Sequence, residues 1–176
     1  MKAILLLCIG IILTSCSSTK VFTDYDENAD IESYKTYNYY LVENTGLNDL
    51  DEKRVIKALD SLLPQKGYTQ KKIPDFNVNF YIEKYTVESQ NSIGLGLGGG
   101  GGAIGGGVSG GIPINTSKDM VAMTLEFFDA LNKELFWQAV VEARFKNNDN
   151  PNERQAFFNE LIKKALEKYP PEKEKK

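Results

Sequence analysis

The sequence predicts an α+β fold, a two-layer sandwich in which a mainly antiparallel, five-stranded sheet packs one face against two helices. Three observations lead to this prediction. Several stretches alternate apolar and polar residues with a period of two, which is typical of strands with one buried face. Two other stretches place apolar residues at helical spacing, and each ends at a proline. A long glycine-rich stretch separates the third strand from the fourth.

The first half of the domain predicts two strands and a helix. Residues 21–26 and 34–42 are rich in aromatic and β-branched residues, which favour strands. We expect the tyrosines of the second strand to pack on a half-buried sheet face, with a ligand-stacking platform as the alternative. A helix follows, capped by Asn48 or Asp51 and ended by Pro64. Its charged residues predict a solvent-exposed face: Asp51, Glu52, Lys53, Arg54 and Lys57.

The second half predicts three strands and a second helix. The third strand alternates four apolar residues with polar ones: Phe76, Val78, Phe80 and Ile82. Residues 120–128 and 135–145 form an antiparallel hairpin because only a short turn separates them, and Trp137 is expected in the core. Asn150 and Glu153 predict a capping box at the start of the last helix.

The glycine-rich stretch, residues 90–117, contains no charged residue and holds twelve of the fifteen glycines. Glycine loses the most conformational freedom on ordering, so we expect a flexible loop between two strands. A phosphate-binding loop is disfavoured because a strand, not a helix, follows. The remaining alternative is an assembly subunit that uses this loop to contact a membrane or a partner.

The first sixteen residues predict a secretory signal that ends at a lipid attachment site. Lys2 precedes an apolar run over residues 3–13, which is too short to span a bilayer. The next residues, Leu13-Thr14-Ser15-Cys16, resemble a bacterial lipobox. That resemblance implies cleavage between Ser15 and Cys16 and acylation of Cys16. An ordinary secretory signal with a chance cysteine is the alternative.

These features predict an organisation into four parts. They are a signal peptide over residues 1–15, a lipidated tether over 16–20, a single domain over 21–169 and a charged tail over 170–176. Several acyl chains would hold the chain firmly on a membrane, because each buried CH₂ contributes about 0.8 kcal/mol. No Asp follows Cys16 directly, and analogy with sorting in Gram-negative bacteria then favours the outer membrane, facing the periplasm.

The composition argues against several classes of function. A net charge of −3 disfavours nucleic acid, which needs a concentrated basic face. The chain has no histidine, the commonest general base and metal ligand. We therefore expect no catalytic residue, cofactor or metal site. The alternative is a carboxylate enzyme or cation-binding protein that uses Asp24, Asp26 and Asp75, since residues i and i+2 of a strand share a face.

Five short motifs, in this order, resemble the bacterial lipoprotein family labelled domain of unknown function 4136. They are Asp24-Tyr25-Asp26, Tyr34-Lys35-Thr36-Tyr37, Lys66-Gly67-Tyr68, Pro74-Asp75-Phe76-Asn77-Val78 and Leu135-Phe136-Trp137-Gln138-Ala139. The resemblance covers residues 21–165 and implies an α/β lipoprotein of the cell envelope, with no established reaction. We therefore expect a non-enzymatic structural or binding module, held on the membrane by its lipid, with an unidentified envelope protein as partner.

Overall fold

The structure is a computed structural model that describes residues 19–40, 44–94, 111–146 and 150–171, without the side chains of residues 89–94 and 111–116. The predicted signal peptide, Ser15, Cys16 and most of the glycine-rich stretch lie outside the described residues. Within the described part, no helix is long and apolar enough to cross a membrane.

Six strands and two α-helices make up the described part of the chain. They are β1 Lys20–Tyr25, β2 Thr36–Tyr39, α1 Asp49–Leu62, β3 Thr69–Gln70, β4 Phe76–Gly94, β5 Gly111–Asp129, β6 Leu135–Arg144 and α2 Pro151–Leu166. Single turns of 3₁₀-helix occupy Ile31–Ser33 and Pro64–Lys66. The fold is therefore α+β, as predicted.

The strands form one open, mixed sheet in the order β1-β6-β5-β4-β2-β3. Antiparallel pairing joins β1, β6, β5 and β4, whereas β2 pairs in parallel with β4 and with β3. The sequence predicts five mainly antiparallel strands; in the described part of the chain the sheet has six, and three of its five pairings are antiparallel, while both pairings of β2 are parallel. The two-residue β3 is too short to show a period, and α1 returns the chain to the same end of the sheet before β4, which makes β2 and β4 parallel.

Alternate residues of the central strands form the core, which lies on one face of the sheet. The four residues predicted for the third strand are all buried: Phe76, Val78, Phe80 and Ile82. The register places Val78 opposite Phe127 and Phe127 opposite Trp137, which is buried as predicted. The buried residues of both helices belong to this same cluster. The other face of the described sheet carries no helix.

Both α-helices begin where the sequence predicts. The Asn48 carboxamide oxygen accepts hydrogen bonds from the backbone N–H groups of Leu50 and Asp51, at 3.1 and 3.0 Å. Asn150 and Glu153 form the predicted capping box. Such caps stabilise a helix by about 1 kcal/mol because they satisfy otherwise unpaired N–H groups.

The β4–β5 hairpin is much longer than predicted, with 19 residues in each strand. Pairing continues without interruption from Phe76 opposite Asp129 to Gly94 opposite Gly111. Strand therefore occupies residues 90–94 and 111–117 of the stretch expected to be a flexible loop, while residues 95–110 lie outside the described part. The residues that flank the glycines include Ile and Thr, which favour strands.

Candidate functional site

The face of the sheet without helices contains a pocket of about 270 Å³, at the end where β4 begins and β5 ends. Aromatic, amide and charged side chains line it, among them Tyr40, Asn77, Asn79, Glu126, Phe128 and Lys133. The register creates this grouping, because it places Asn77 opposite Phe128 and Asn79 opposite Glu126. The pocket therefore combines hydrogen-bonding groups with two aromatic rings.

Asn79 forms the fixed floor of this pocket. Its side chain is only 3% exposed, and its amide donates a hydrogen bond of 2.9 Å to the Glu126 carboxylate. A buried amide is costly unless it is hydrogen-bonded, so this contact holds both side chains in place. The pocket thus presents a positioned carboxylate.

Asp129 holds the rim of the pocket rigid. Its carboxylate accepts hydrogen bonds from the N–H groups of Leu131 and Asn132, at 2.8 and 2.7 Å, and from the Tyr34 hydroxyl at 2.9 Å. The Asn132 N–H in particular holds the pKa of Asp129 below its ordinary value. Burial, followed by the Asp129 contact, raises the pKa of Tyr34 to about 12. The Asp129 carboxylate is therefore ionised at neutral pH and stabilises the turn between β5 and β6.

Asp75, a candidate catalytic residue from the sequence, connects the start of β2 to the start of β4. Its carboxylate accepts hydrogen bonds from the N–H groups of Lys35 and Thr36, at 2.9 and 2.8 Å. The Lys35 N–H in particular holds the pKa of Asp75 below its ordinary value. The backbone carbonyl of Asp75 accepts a further bond from Ala130 at 3.0 Å. Asp75 is therefore a structural brace.

Asp24 and Asp26, the other two candidates, lie around a shallow pocket of about 240 Å³ together with Gln138. Each carboxylate bonds to nearby backbone, Asp24 to the N–H of Tyr25 and Asp26 to the N–H of Asn28, both at 2.9 Å. The structure thus brings this pair together, whereas Asp75 does not line the same pocket. In the described part of the chain, no three potential metal ligands cluster at one point.

The tyrosines of β2 are packed as predicted, but their hydroxyl groups are not free. Tyr37 and Tyr39 both donate to one carboxylate oxygen of Asp60 in α1, at 3.2 and 2.6 Å. Burial, with help from the Asp60 charge, raises the pKa of Tyr37 to about 12. Tyr40, in contrast, is 72% exposed and stands at the pocket on the other face. Of the tyrosines predicted for the second strand, only Tyr40 therefore presents an exposed ring on which a ligand could stack.

Sequence analysis missed a buried ion cluster that joins α1 to α2. Asp51 is 1% exposed, and its two oxygens contact Arg54 at 2.8 Å and Arg154 at 2.7 Å. Burial alone would raise the pKa of Asp51, but the hydrogen bonds and charges of Arg154 and Arg54 outweigh it and hold that pKa below its ordinary value. The prediction of a solvent-exposed face is therefore wrong for Asp51. The Asp-x-x-Arg spacing hinted at the Arg54 pair, whereas nothing in the sequence pointed to Arg154, 103 residues away.

The chain has a clear family match. A family model described as "Domain of unknown function (DUF4136)" matches residues 21–171. A search of curated proteins found no match. The family match spans both helices and all the strands that line the two pockets.

Several solved structures match the chain. The chain is similar to a PDZ domain protein from Parabacteroides distasonis ATCC 8503, with a TM-score of 0.53 and 12% identity over 89% of this chain and 38% of that one. It thus spans less than half the length of that protein, and the likeness shows the fold alone. Two PelC dodecamer structures from Paraburkholderia phytofirmans also match, with TM-scores of 0.42 and 0.41 and identities of 14% and 12%. Each match covers 84% of this chain, and 94% and 95% of the respective PelC chains.

Proposed function

The chain belongs to the DUF4136 family, and on this premise we propose that it is a non-enzymatic lipoprotein of the bacterial cell envelope, anchored by an acylated Cys16. The observation that carries the proposal is the sequence Leu13-Thr14-Ser15-Cys16, which resembles a lipobox, with only three residues between Cys16 and the first strand at Lys20. So short a tether would hold the folded domain at the membrane surface. We place that surface at the outer membrane, on its periplasmic side.

The uncovered face of the sheet supports a role as a binding module. Its pocket combines the exposed ring of Tyr40 with the Asn77 amide and the Glu126 carboxylate. An exposed aromatic ring beside hydrogen-bonding groups suits a polar ligand that also has a flat apolar surface. A second observation supports a non-enzymatic role, since the carboxylates of Asp75 and Asp129 accept hydrogen bonds from backbone N–H groups and so brace turns.

Replacing the proposed anchor tests the lipoprotein assignment. We expect Cys16→Ala to move the protein from the membrane fraction to the soluble fraction, because the acyl chains supply the membrane affinity. Cys8→Ala is the matched control, since Cys8 lies in the signal that is removed, and it should leave fractionation unchanged. Mass spectrometry of the mature amino terminus measures the modification directly. An unmodified terminus would refute the anchor.

A photo-crosslinking amino acid at two exposed positions tests the binding role in cells. Position 40 lies at the pocket, whereas position 50 is the exposed Leu50 on α1. We expect a discrete adduct from position 40 alone. Equal crosslinking from both positions would contradict use of this pocket. For the cation-binding alternative at Asp24 and Asp26, a calcium-dependent rise in melting temperature that Asp24→Asn removes would favour that site over ours.

A further inference from the structure

The β4–β5 hairpin continues beyond the rest of the sheet as a two-stranded arm, defined here as residues 87–94 and 111–118. The neighbouring strands stop earlier, since β6 last pairs at Met120 and β2 at Val78. Eight residues per strand at about 3.3 Å each give the arm a length of about 26 Å.

Both edges of the arm lack a partner strand in the described part of the chain. Each edge therefore offers backbone N–H and C=O groups to another strand, except that Pro113 of β5 has no N–H to donate. An isolated two-stranded hairpin is only marginally stable in water. The arm is joined to the sheet at its base, and a further strand along either edge would add to its stability.

On both strands of the arm, the charged residues end at the same level. Glu88 is the last charged residue of β4 and Lys118 the first of β5, and the register places Glu88 opposite Ser117, next to Lys118. No charged residue occurs between Glu88 and Lys118 in the sequence. Beyond this level both strands are uncharged, so entry of the arm into hydrocarbon would not require the burial of a charge.

The tether leaves the domain at the same end of the sheet as the arm. The register aligns Lys20, Glu142, Ala122 and Glu83 in one row across four strands. From Glu83, β4 runs eleven more residues to Gly94, or about 36 Å. From Lys20 back to Cys16 the chain spans only four residues, at most about 14 Å. An upright domain would therefore carry the arm about 20 Å past the lipid attachment point.

We propose that the arm enters the bilayer that holds Cys16 and that its free edges pair there with the arms of further copies of this chain. Hydrocarbon leaves no backbone group unpaired, so membrane-inserted strands close into a barrel. Beyond Glu88 the described part of β4 continues for six uncharged residues, 89–94, or about 20 Å of strand, which reaches into the hydrocarbon layer without crossing it. This proposal rests on the proposed lipid anchor.

Labelling of single cysteines tests the arm separately from the anchor. With Cys8 removed and Cys16 acylated, Ser92→Cys would carry the only free thiol, and Ser61→Cys on the exposed surface of α1 is the matched control. The full acylated protein is placed in vesicles of phosphatidylethanolamine and phosphatidylglycerol and treated with a membrane-impermeant maleimide. We expect the thiol at position 61 to react in vesicles and the thiol at position 92 to react only after detergent is added. A bismaleimide that enters the membrane should join copies through position 92 but not through position 61.

Three other outcomes of the labelling experiment are possible, and each leads to a different conclusion about the arm and the anchor. If the protein stays on the vesicles and both thiols react equally, the arm proposal is wrong and the anchor stands. If the protein washes off the vesicles, the anchor fails and the arm proposal fails with it. If the maleimide does not label position 92 in protein without vesicles, the arms assemble with one another in water. The proposal that they enter the bilayer is then wrong. Circular dichroism of both variants checks that the domain remains folded.

Discussion

Removing the charge of Asp51 tests whether the buried ion cluster holds α1 and α2 together. Asp51→Asn keeps the shape of the side chain but leaves Arg54 and Arg154 without their anion, and these arginine side chains are 19% and 15% exposed. Losing one partner of a fully buried pair costs about 3–5 kcal/mol, and partial solvation of the arginines reduces this to about 2–3 kcal/mol. In a domain of this size, the melting temperature should fall by about 4–12 °C.

The stability difference between wild type and Asp51→Asn should decrease as the pH falls. The pKa of Asp51 is lower in the folded chain than its ordinary value near 3.8, so its stabilisation is complete above that value. The stabilisation is lost as pH falls through the folded pKa, and the melting temperatures of wild type and variant should converge there. Thermal unfolding followed by circular dichroism, from neutral to acidic pH, measures both quantities.

Asp49→Asn is the matched control for this experiment. Asp49 is exposed in the same first turn of α1, where its charge contributes only about 0.3–1 kcal/mol through the helix dipole. The reasoning would be refuted if Asp51→Asn cost no more than this control. It would also be refuted if the gap between wild type and Asp51→Asn stayed constant into acid.

Two further substitution pairs test packing and backbone geometry by urea unfolding. Leu59→Ala should lower the free energy of unfolding by about 2–5 kcal/mol, because the side chain is fully buried. Leu50→Ala should change it by less than about 0.5 kcal/mol, because that side chain is exposed. Equal losses would contradict the assignment of the α1 core face. Gly67→Ala should cost about 1–2 kcal/mol, from its φ of 90° in open space. Gly46→Ala should cost clearly more, because a Cβ there would also collide with the Ile82 carbonyl oxygen, and a smaller loss than at Gly67 would refute that contact.

Local features of the fold could be predicted because their signals lie within a few residues. The alternation around Phe80 and the caps at Asn48 and Asn150 needed no knowledge of distant parts of the chain. Leu50 is apolar but 63% exposed, because it lies nine residues before the buried Leu59 and therefore on the opposite side of α1. An apolar residue is thus predicted to be buried only when its angular position around the helix is also considered.

Features that depend on distant contacts could not be predicted from the sequence pattern. Asp51 looked like a surface charge because its partner Arg154 comes from another helix. Asn77 and Glu126 meet in one pocket only through the register of the β4–β5 hairpin, and a shift of one residue would send them to opposite faces. The parallel pairing of β2 could have been inferred, since a strand, a helix and a strand in succession commonly form a parallel crossover.

The pairing of β1 with β6 also determines how the domain resists mechanical force. A pull on the proposed anchor would act on β1 at Lys20, along the axis of the strand. The ladder bonds between β1 and β6 run perpendicular to that axis, across the six residue pairs from Lys20 opposite Glu142 to Tyr25 opposite Trp137. Such a force shears all these bonds together and does not peel them apart one at a time. The edge strand that the tether joins would therefore withstand tension that a hairpin opened from its free end could not.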